Sequence, residues 1–343
     1  MLVLLVDWKK NGLNYLEKEF SALNIPFKTF DIPDYSMLDL TVSYRIFNLY
    51  FKYLKLARRA VMNSDPDDVL ICLNYTTSIA VGYVCKVLNK RRKIVGLNMI
   101  AHKRFWLIEW FRRLVFSPIM SMPSFIITVN SEHYIGEYSK RFRVQDNKFF
   151  VLTDPGQPRS QLQTLMSENS FVFTGGEAKR DWETLFKSCR MLPFIKFVCI
   201  ARKKYFNMFL EIPQNVELLF DTDSKTFYNY MNKASIIVIP LNSLSPAGLI
   251  VLLDAAIMNK PVIITKTPAT ENYIIDGISG FLINPENEEE LTSKIKQLWD
   301  STELQNRFAL NLKESVMANH SPQIYSTRLL SILKDNKIFP INK

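Results

Sequence analysis

The chain has 343 residues, 48% of them hydrophobic and 22% charged, a balance that excludes a disordered or low-complexity protein. That length is more than one core needs and suits two domains of about 150–170 residues. The net charge of +10 is unevenly placed: residues 1–150 hold 22 Lys and Arg against 13 Asp and Glu, a net of +9, which leaves 21 against 20 for the rest. A basic first half is expected to meet an anionic surface or substrate.

Chain order brings first an apolar run, Leu2–Val6, which has no basic flank and is too short for a signal peptide. It reads as a buried strand. Strands are further predicted at Phe27–Phe30, Val69–Cys72, Lys93–Leu97, Phe125–Val129 and Phe149–Leu152. Helical periodicity fills the gaps at Leu13–Leu23, Tyr44–Met62, Thr77–Leu88, Phe105–Phe116 and Glu132–Phe142. Alternation of this kind predicts a parallel sheet covered on both faces. Asp154-Pro155-Gly156-Gln157-Pro158 and the polar stretch to Ser170 interrupt it as a linker. Strands resume near Phe171–Phe173, Lys196–Ile200, Val216–Leu219, Ser235–Ile239 and Pro261–Ile264, and the last helical stretch, Pro322–Lys334, can cross back to the first domain. The division expected is 1–153, a linker at 154–170, 171–320, and a terminal helix in 321–343.

Cys72, Cys85, Cys189 and Cys199 lack C-x-x-C spacing, and three histidines offer them no metal partner. Free thiols in a reducing cytoplasm are the expectation. No run of 18 apolar residues occurs, so no spanning helix is expected.

The second half concentrates the chemistry. Gly175 and Gly176 end a strand just before Lys179, Arg180 and the helix N-cap Asp181; paired glycines admit a phosphate close to the backbone, and the cations supply charge. An ordinary turn with solvated cations is the plain alternative. Pro246-Ala247-Gly248-Leu249 precedes an apolar helix whose free first amides suit a diphosphate. Asp254, two turns on, sits among Leu252, Leu253, Ala255 and Ala256, where a carboxylate can accept from ribose hydroxyls. Phe220, at a strand end, is a candidate for holding a nucleobase, with a core aromatic as the alternative.

Residues 171–300 resemble the nucleotide-sugar domain of GT-B glycosyltransferases related to family 4, the glycosyl transferases group 1 set. Gly248–Ile263 resembles that family's G-x-x-x-L-L-E-A-M-A-x-G-K-P-V-I segment, and Thr267–Ile283 its G-x-x-E-x-I-x-D-G-x-x-G-x-L-V segment. Gly175-Gly176 with Arg180-Asp181 resembles a G-G-x-x-x-R-D-[YW] opening of bacterial members, and Ser131-Glu132 with Lys148-Phe149 the end of their first domain. The resemblance implies an α/β GT-B fold, two Rossmann-like domains facing each other across a cleft. It places Asp254 on the donor ribose, the Ala247–Leu249 amides on the diphosphate, and Arg180 with Lys179 against the leaving group. It also implies metal-independent transfer with no cofactor beyond the nucleotide-sugar donor. Many members carry an E-x7-E pair; here the second acid is Asp254 and the first falls on Pro246.

In the first half, Gly12 offers close backbone approach, and His102 and Asp7 are candidate bases at strand ends. His102–Phe116 mixes Lys103, Arg104, Arg112 and Arg113 with Trp106 and Trp110. Placed on a helix, Glu109, Arg112 and Arg113 share a face opposite the apolar one, as in a segment lying on anionic lipid. A helix packed on the sheet with a solvated basic edge is the alternative. No nucleic-acid module is recognisable. The expected protein is thus a cytoplasmic glycosyltransferase, peripheral on the inner face of the membrane, acting on a lipid-linked or polymeric glycan in bacterial-type surface-polysaccharide synthesis. A catalytically silent GT-B subunit and a nucleotide-sugar epimerase are the alternatives.

Overall fold

The structure, a computed structural model, describes residues 1–6, 14–32, 42–157, 170–176, 179–244 and 246–339. The chain divides into two compact units, Met1–Asp154 with Pro322–Lys343, and Pro155–Ser321.

The first unit runs β1 (Leu2–Val6), α1 (Tyr15–Ala22), β2 (Phe27–Asp31), α2 (Val42–Met62), β3 (Val69–Cys72), α3 (Tyr75–Val87), β4 (Lys93–Gly96), α4 (Trp106–Met120), β5 (Phe125–Val129), α5 (Glu132–Phe142) and β6 (Phe149–Val151). The sheet has the order β2-β1-β3-β4-β5-β6, and every pairing is parallel. Central strands such as β1 (LVLLV) and β5 (FIITV) are buried throughout, as strands of a sheet covered on both faces are. The edge strand β2 (FKTFD) carries charges and is only half-buried, which blunts its open edge.

The second unit runs β7 (Val172–Gly176), α6 (Trp182–Met191), β8 (Phe197–Ala201), β9 (Val216–Phe220), α7 (Ser224–Lys233), β10 (Ile236–Ile239), α8 (Leu249–Ile257), β11 (Val262–Thr265), β12 (Phe281–Ile283), α9 (Glu288–Trp299) and α10 (Thr302–Asn319). The order β12-β11-β10-β7-β8-β9 is again wholly parallel. The chain therefore leaves β7 toward one edge and returns to β10 on its other side. That reversal is a topological switch point, where loops at the carboxyl ends diverge and leave a crevice.

The last helix, α11 (Pro322–Asp335), packs in the first unit: Tyr325, Leu329, Leu330 and Leu333 join a core with Leu2, Leu4, Val6, Leu16 and Phe20. Each such leucine contributes about 2 kcal/mol by burial. All four cysteines are buried free thiols. Among the described residues no helix is long and apolar enough to cross a membrane.

Candidate active site

The site grows from the ends of β7 and β10. A Cβ on Gly175 would stand 2.6 Å from the Phe227 ring, and one on Gly176, at φ 140°, would collide with the Arg180 guanidinium. Glycine here lets an aromatic ring and a cation lie directly on the backbone. Arg180 Nε donates to the Gly175 carbonyl at 2.9 Å, and the side chain is 6% exposed. Loss of water pushes the guanidinium down to about 10, so it remains charged at neutral pH.

Two loops are sewn together beside it. Asp181 N donates to Pro240 O (3.0 Å) and Asn242 N to Lys179 O (3.1 Å), with Arg180 and Leu241 forming an antiparallel bridge. The backbone after β7 thereby fixes the backbone after β10, and Arg180 is held where the chain turns toward α8. Lys179, at φ 62°, is exposed. Asp181 caps α6 by accepting from Thr184 N, as the sequence predicts.

Gly248 starts α8 from the left-handed region at φ 78°; a Cβ there would lie 2.9 Å from Ile239. Gly248 has no side chain with which to cap this helix, so it leaves the first amides, which carry partial positive charge, without a bond from the N-cap residue. Pro246 is buried, Ala247 and Gly248 are half-buried, and Leu249 is buried. Asp254 faces inward at 4% exposure and accepts from the Tyr228 hydroxyl at 2.9 Å. A cation and a helix start thus adjoin through the loops after β7 and β10, and the buried Asp254 carboxylate lies two turns along that helix, bonded to α7.

The structure brings Gly175, Gly176, Lys179, Arg180, Pro246, Ala247, Gly248, Leu249 and Asp254 into this system. Phe220 it places elsewhere: β9 is the sheet edge, two strands from β7, and the ring packs edge-on to Phe206 at 5.3 Å. That is the core-aromatic alternative, driven by burial against Trp182 and Phe186 through Phe206. Asp7 and Gly12 lie outside the described residues. His102 belongs to the first unit, six residues beyond the end of β4 rather than at a strand terminus, and is exposed. Its carbonyl accepts from Arg112 (3.0 Å) and Arg141 (2.6 Å), which anchors its backbone.

Tyr228 is the residue that sequence patterns do not single out. Its helix is legible, but a tyrosine on a half-buried face looks like packing; only its proximity to an acid 26 residues later gives it chemical meaning. The threonines at and beyond the end of β11 are similar: Thr265 Oγ1 accepts from Leu241 N (2.8 Å), and Thr270 Oγ1 donates to Thr265 O (2.9 Å).

Helix α4 departs from the expected orientation. Glu109, Arg112 and Arg113 do share a face, but that face turns inward. Glu109 pairs with Arg112 (2.7 Å) and with Arg141 of α5 (2.8 Å), and Arg112 also lies over the Phe116 and Phe142 rings. Burial alone would raise the Glu109 carboxyl; the two guanidiniums outweigh it and hold it below the usual range. Arg112 therefore does not form the outer basic edge, because its charge is used against Glu109, the α5 ring of Phe142 and the loop before α4, and Arg113 is half-buried with its Nε unpartnered. What faces out is apolar: Trp106 at 66% exposure and Phe111 at 63%, with Leu107, Trp110 and Leu114 along the same stripe. Lys103 and Arg104 remain exposed at its start.

Residues 201–315 match the family described as glycosyl transferases group 1. No curated protein matches the chain by sequence. Among solved structures, a glycosyltransferase from Rickettsia africae superposes with TM-score 0.69 at 12% identity, covering 98% of both chains. HepE from Anabaena, solved with UDP and glucose, gives 0.67 at 12% over 98% of this chain and all of that one. Sucrose-phosphate synthase from Thermosynechococcus elongatus gives 0.67 at 12% over 97% and 98%. Two parallel Rossmann-like sheets, a matching domain on the second and these likenesses lead to one conclusion: the chain is a glycosyltransferase of the GT-B fold, with a group 1 domain in its second unit.

Proposed function

We propose that the chain transfers a sugar from a nucleoside diphosphate donor to a lipid-linked or polymeric glycan acceptor at an anionic membrane surface, without a metal ion. The observation that carries the donor half is the convergence of Arg180, the uncapped start of α8 and Asp254 at the β7–β10 switch point. In transfer, the bond between the sugar C1 and the diphosphate breaks while an acceptor oxygen bonds to C1 and gives up its proton. Negative charge grows on the departing diphosphate. Arg180 and the amides of Leu249 and Ile250 oppose it, the part a metal plays in other enzymes, with Lys179 as an outer countercharge. Asp254 receives ribose hydroxyls. HepE binding UDP and UDP-glucose supports a nucleotide donor of this kind.

The acceptor half rests on α4. An exposed stripe of Trp106, Leu107, Trp110, Phe111 and Leu114, led by Lys103 and Arg104, suits a helix lying in a bilayer interface. A protein so held acts peripherally on the cytoplasmic face of the membrane. His102 and Asp7 are the first-unit groups proposed to receive the acceptor proton.

One observation favours a second reading, a donor-binding subunit without turnover: Pro246 stands where many relatives of this fold carry an acid, and proline offers no side-chain acceptor to a donor sugar. The test is thermal stabilisation by a panel of nucleoside diphosphates and nucleotide sugars in EDTA, followed by transfer to vesicle-borne polyprenyl-linked glycans. A selective rise in Tm that Asp254→Ala abolishes, with product formed in EDTA, supports the reading. No shift with any nucleotide overturns it, and binding without product leaves the silent subunit.

A further inference from the structure

We infer that the first unit holds a second anion site, a lysine-ringed cavity at the amino ends of β4, β5 and β6 that takes a phosphate monoester. It is independent of the donor-site reading above. Parallel sheets offer their substrate crevices at the opposite, carboxyl ends of the strands.

Parallel pairing makes the place. β4, β5 and β6 are neighbours in the sheet and run the same way, so their first residues share one rim. Lys93 opens β4, Ser124 directly precedes β5, and Lys148 directly precedes β6. The turn that ends α11 brings a third lysine. Lys337 N donates to Lys334 O (2.9 Å), its backbone is left-handed at φ 55°, and Ile338 beside it is buried in the core. Between these segments lies a cavity of about 210 Å³, lined by Lys93, Lys148, Lys337, Ser124, Asn147 and Asn336 and by no Asp or Glu. Sites that enclose whole drug-sized ligands measure roughly 300–1,000 Å³, so this one suits a compact charged group, free or at the end of a larger molecule.

Lys148 is the anchored member. Its Nζ donates to Met122 O (2.7 Å) and Pro123 O (3.0 Å), which leaves one of its three N–H bonds for another acceptor. Partial burial pushes this ammonium below its ordinary value, and an anion beside it would offset that loss of water. Lys93 has one carboxylate, Asp67 at 3.9 Å, whose side chain is 99% exposed, a pairing worth little in water. Among the described residues neither Lys148 nor Lys337 has an acid partner. Elsewhere the first unit matches cations to acids, as Glu109 does for Arg112 and Arg141. Here three ammonium groups border one space, and their mutual repulsion is unrelieved. A phosphate monoester carries about −1.5 to −2 charge at neutral pH and three acceptor oxygens, one for each lysine. A carboxylate brings a single charge and two oxygens.

The experiment is calorimetric titration of the full chain with inorganic phosphate and with a hexose 6-phosphate at matched ionic strength. It is repeated for Lys93→Gln, Lys337→Gln and the double reversal Lys93→Glu with Lys337→Glu, with Arg180→Met as the control for the crevice. Each single change should weaken phosphate about 3- to 10-fold, as for one lost charge-assisted bond. The reversal should abolish binding, and Arg180→Met should leave it in place. If the reversal unfolds, as its Tm will show, the two single changes decide. Vesicles with phosphatidic acid, set against phosphatidylcholine, tell the sources apart. Titration by the hexose phosphate marks a soluble ester; vesicle binding lost on reversal, with no soluble titration, marks a lipid headgroup, and either supports the site. Phosphate binding that survives the reversal, or that only Arg180→Met removes, overturns the inference. So does a wild type in which neither source gives binding sensitive to the lysine changes.

Discussion

Helices α4 and α8 hold matching places after the fourth strand of each unit in chain order, yet they use charge and apolar surface in opposite ways. In α8 the apolar residues go inward and take a carboxylate with them, and the helix start is left open. In α4 the charged residues go inward, where Glu109, Arg112 and Arg141 satisfy one another, and the aromatics face out. A buried acid among aliphatics and an exposed stripe of tryptophan and phenylalanine both run against ordinary burial. The first unit therefore spends its irregularity on a surface, and the second on a crevice.

The comparison can be broken at its most consequential point, the buried cation. Arg180→Met should lower transfer by about 100- to 1,000-fold, the usual loss for one group opposing leaving-group charge, measured as kcat/KM with donor saturating or not. Vesicle binding should be untouched. If vesicle binding falls with it, crevice and surface are not separable functions.

The second prediction sharpens the contrast inside the first unit. Asp154 there is buried, and Asn98 and Asn130 donate to its carboxylate. Burial raises its carboxyl from 3.8 to about 6, although both amides pull the other way. Between those values the folded unit keeps a proton that the unfolded chain has released, so its contribution is complete below the lower value and lost as pH rises through the upper. Asp154→Asn should remove that decline, worth up to about 3 kcal/mol between about pH 4 and pH 7. Denaturation midpoints across this range check it; a slope unchanged by the substitution refutes the assignment.

The smallest effect belongs to the surface. Trp110→Ser and Phe111→Ser should each reduce partition onto anionic vesicles about 10-fold while Tm stays within a few degrees, since neither ring supports the core. Loss of folding in both would mean the stripe is covered in the native protein.

Strand and helix placement was legible because the central strands are unbroken apolar runs and most helices announce their caps, as Asp181 and Ser131 do. The glycines, Arg180 and Asp254 were legible because they cluster in order along the chain. The orientation of α4 was not. Periodicity tells which residues share a face but not which face meets the protein, and here an inward ion-pair network with Arg141, 32 residues away, decides it. Phe220 and Tyr228 mark the same limit. Which aromatic serves the crevice depends on strand order, and a parallel sheet's order is not written in its local sequence.

The passage of the chain back into the first unit has a consequence for synthesis. Residues 155–321 are contiguous, so the second unit can fold as soon as it leaves the ribosome. The first unit, begun earlier, must wait with its sheet face open until α11 delivers Leu329 and Leu333. A premature stop near residue 321 would then leave the second unit intact and the first unfinished, a nascent-chain vulnerability set by topology alone.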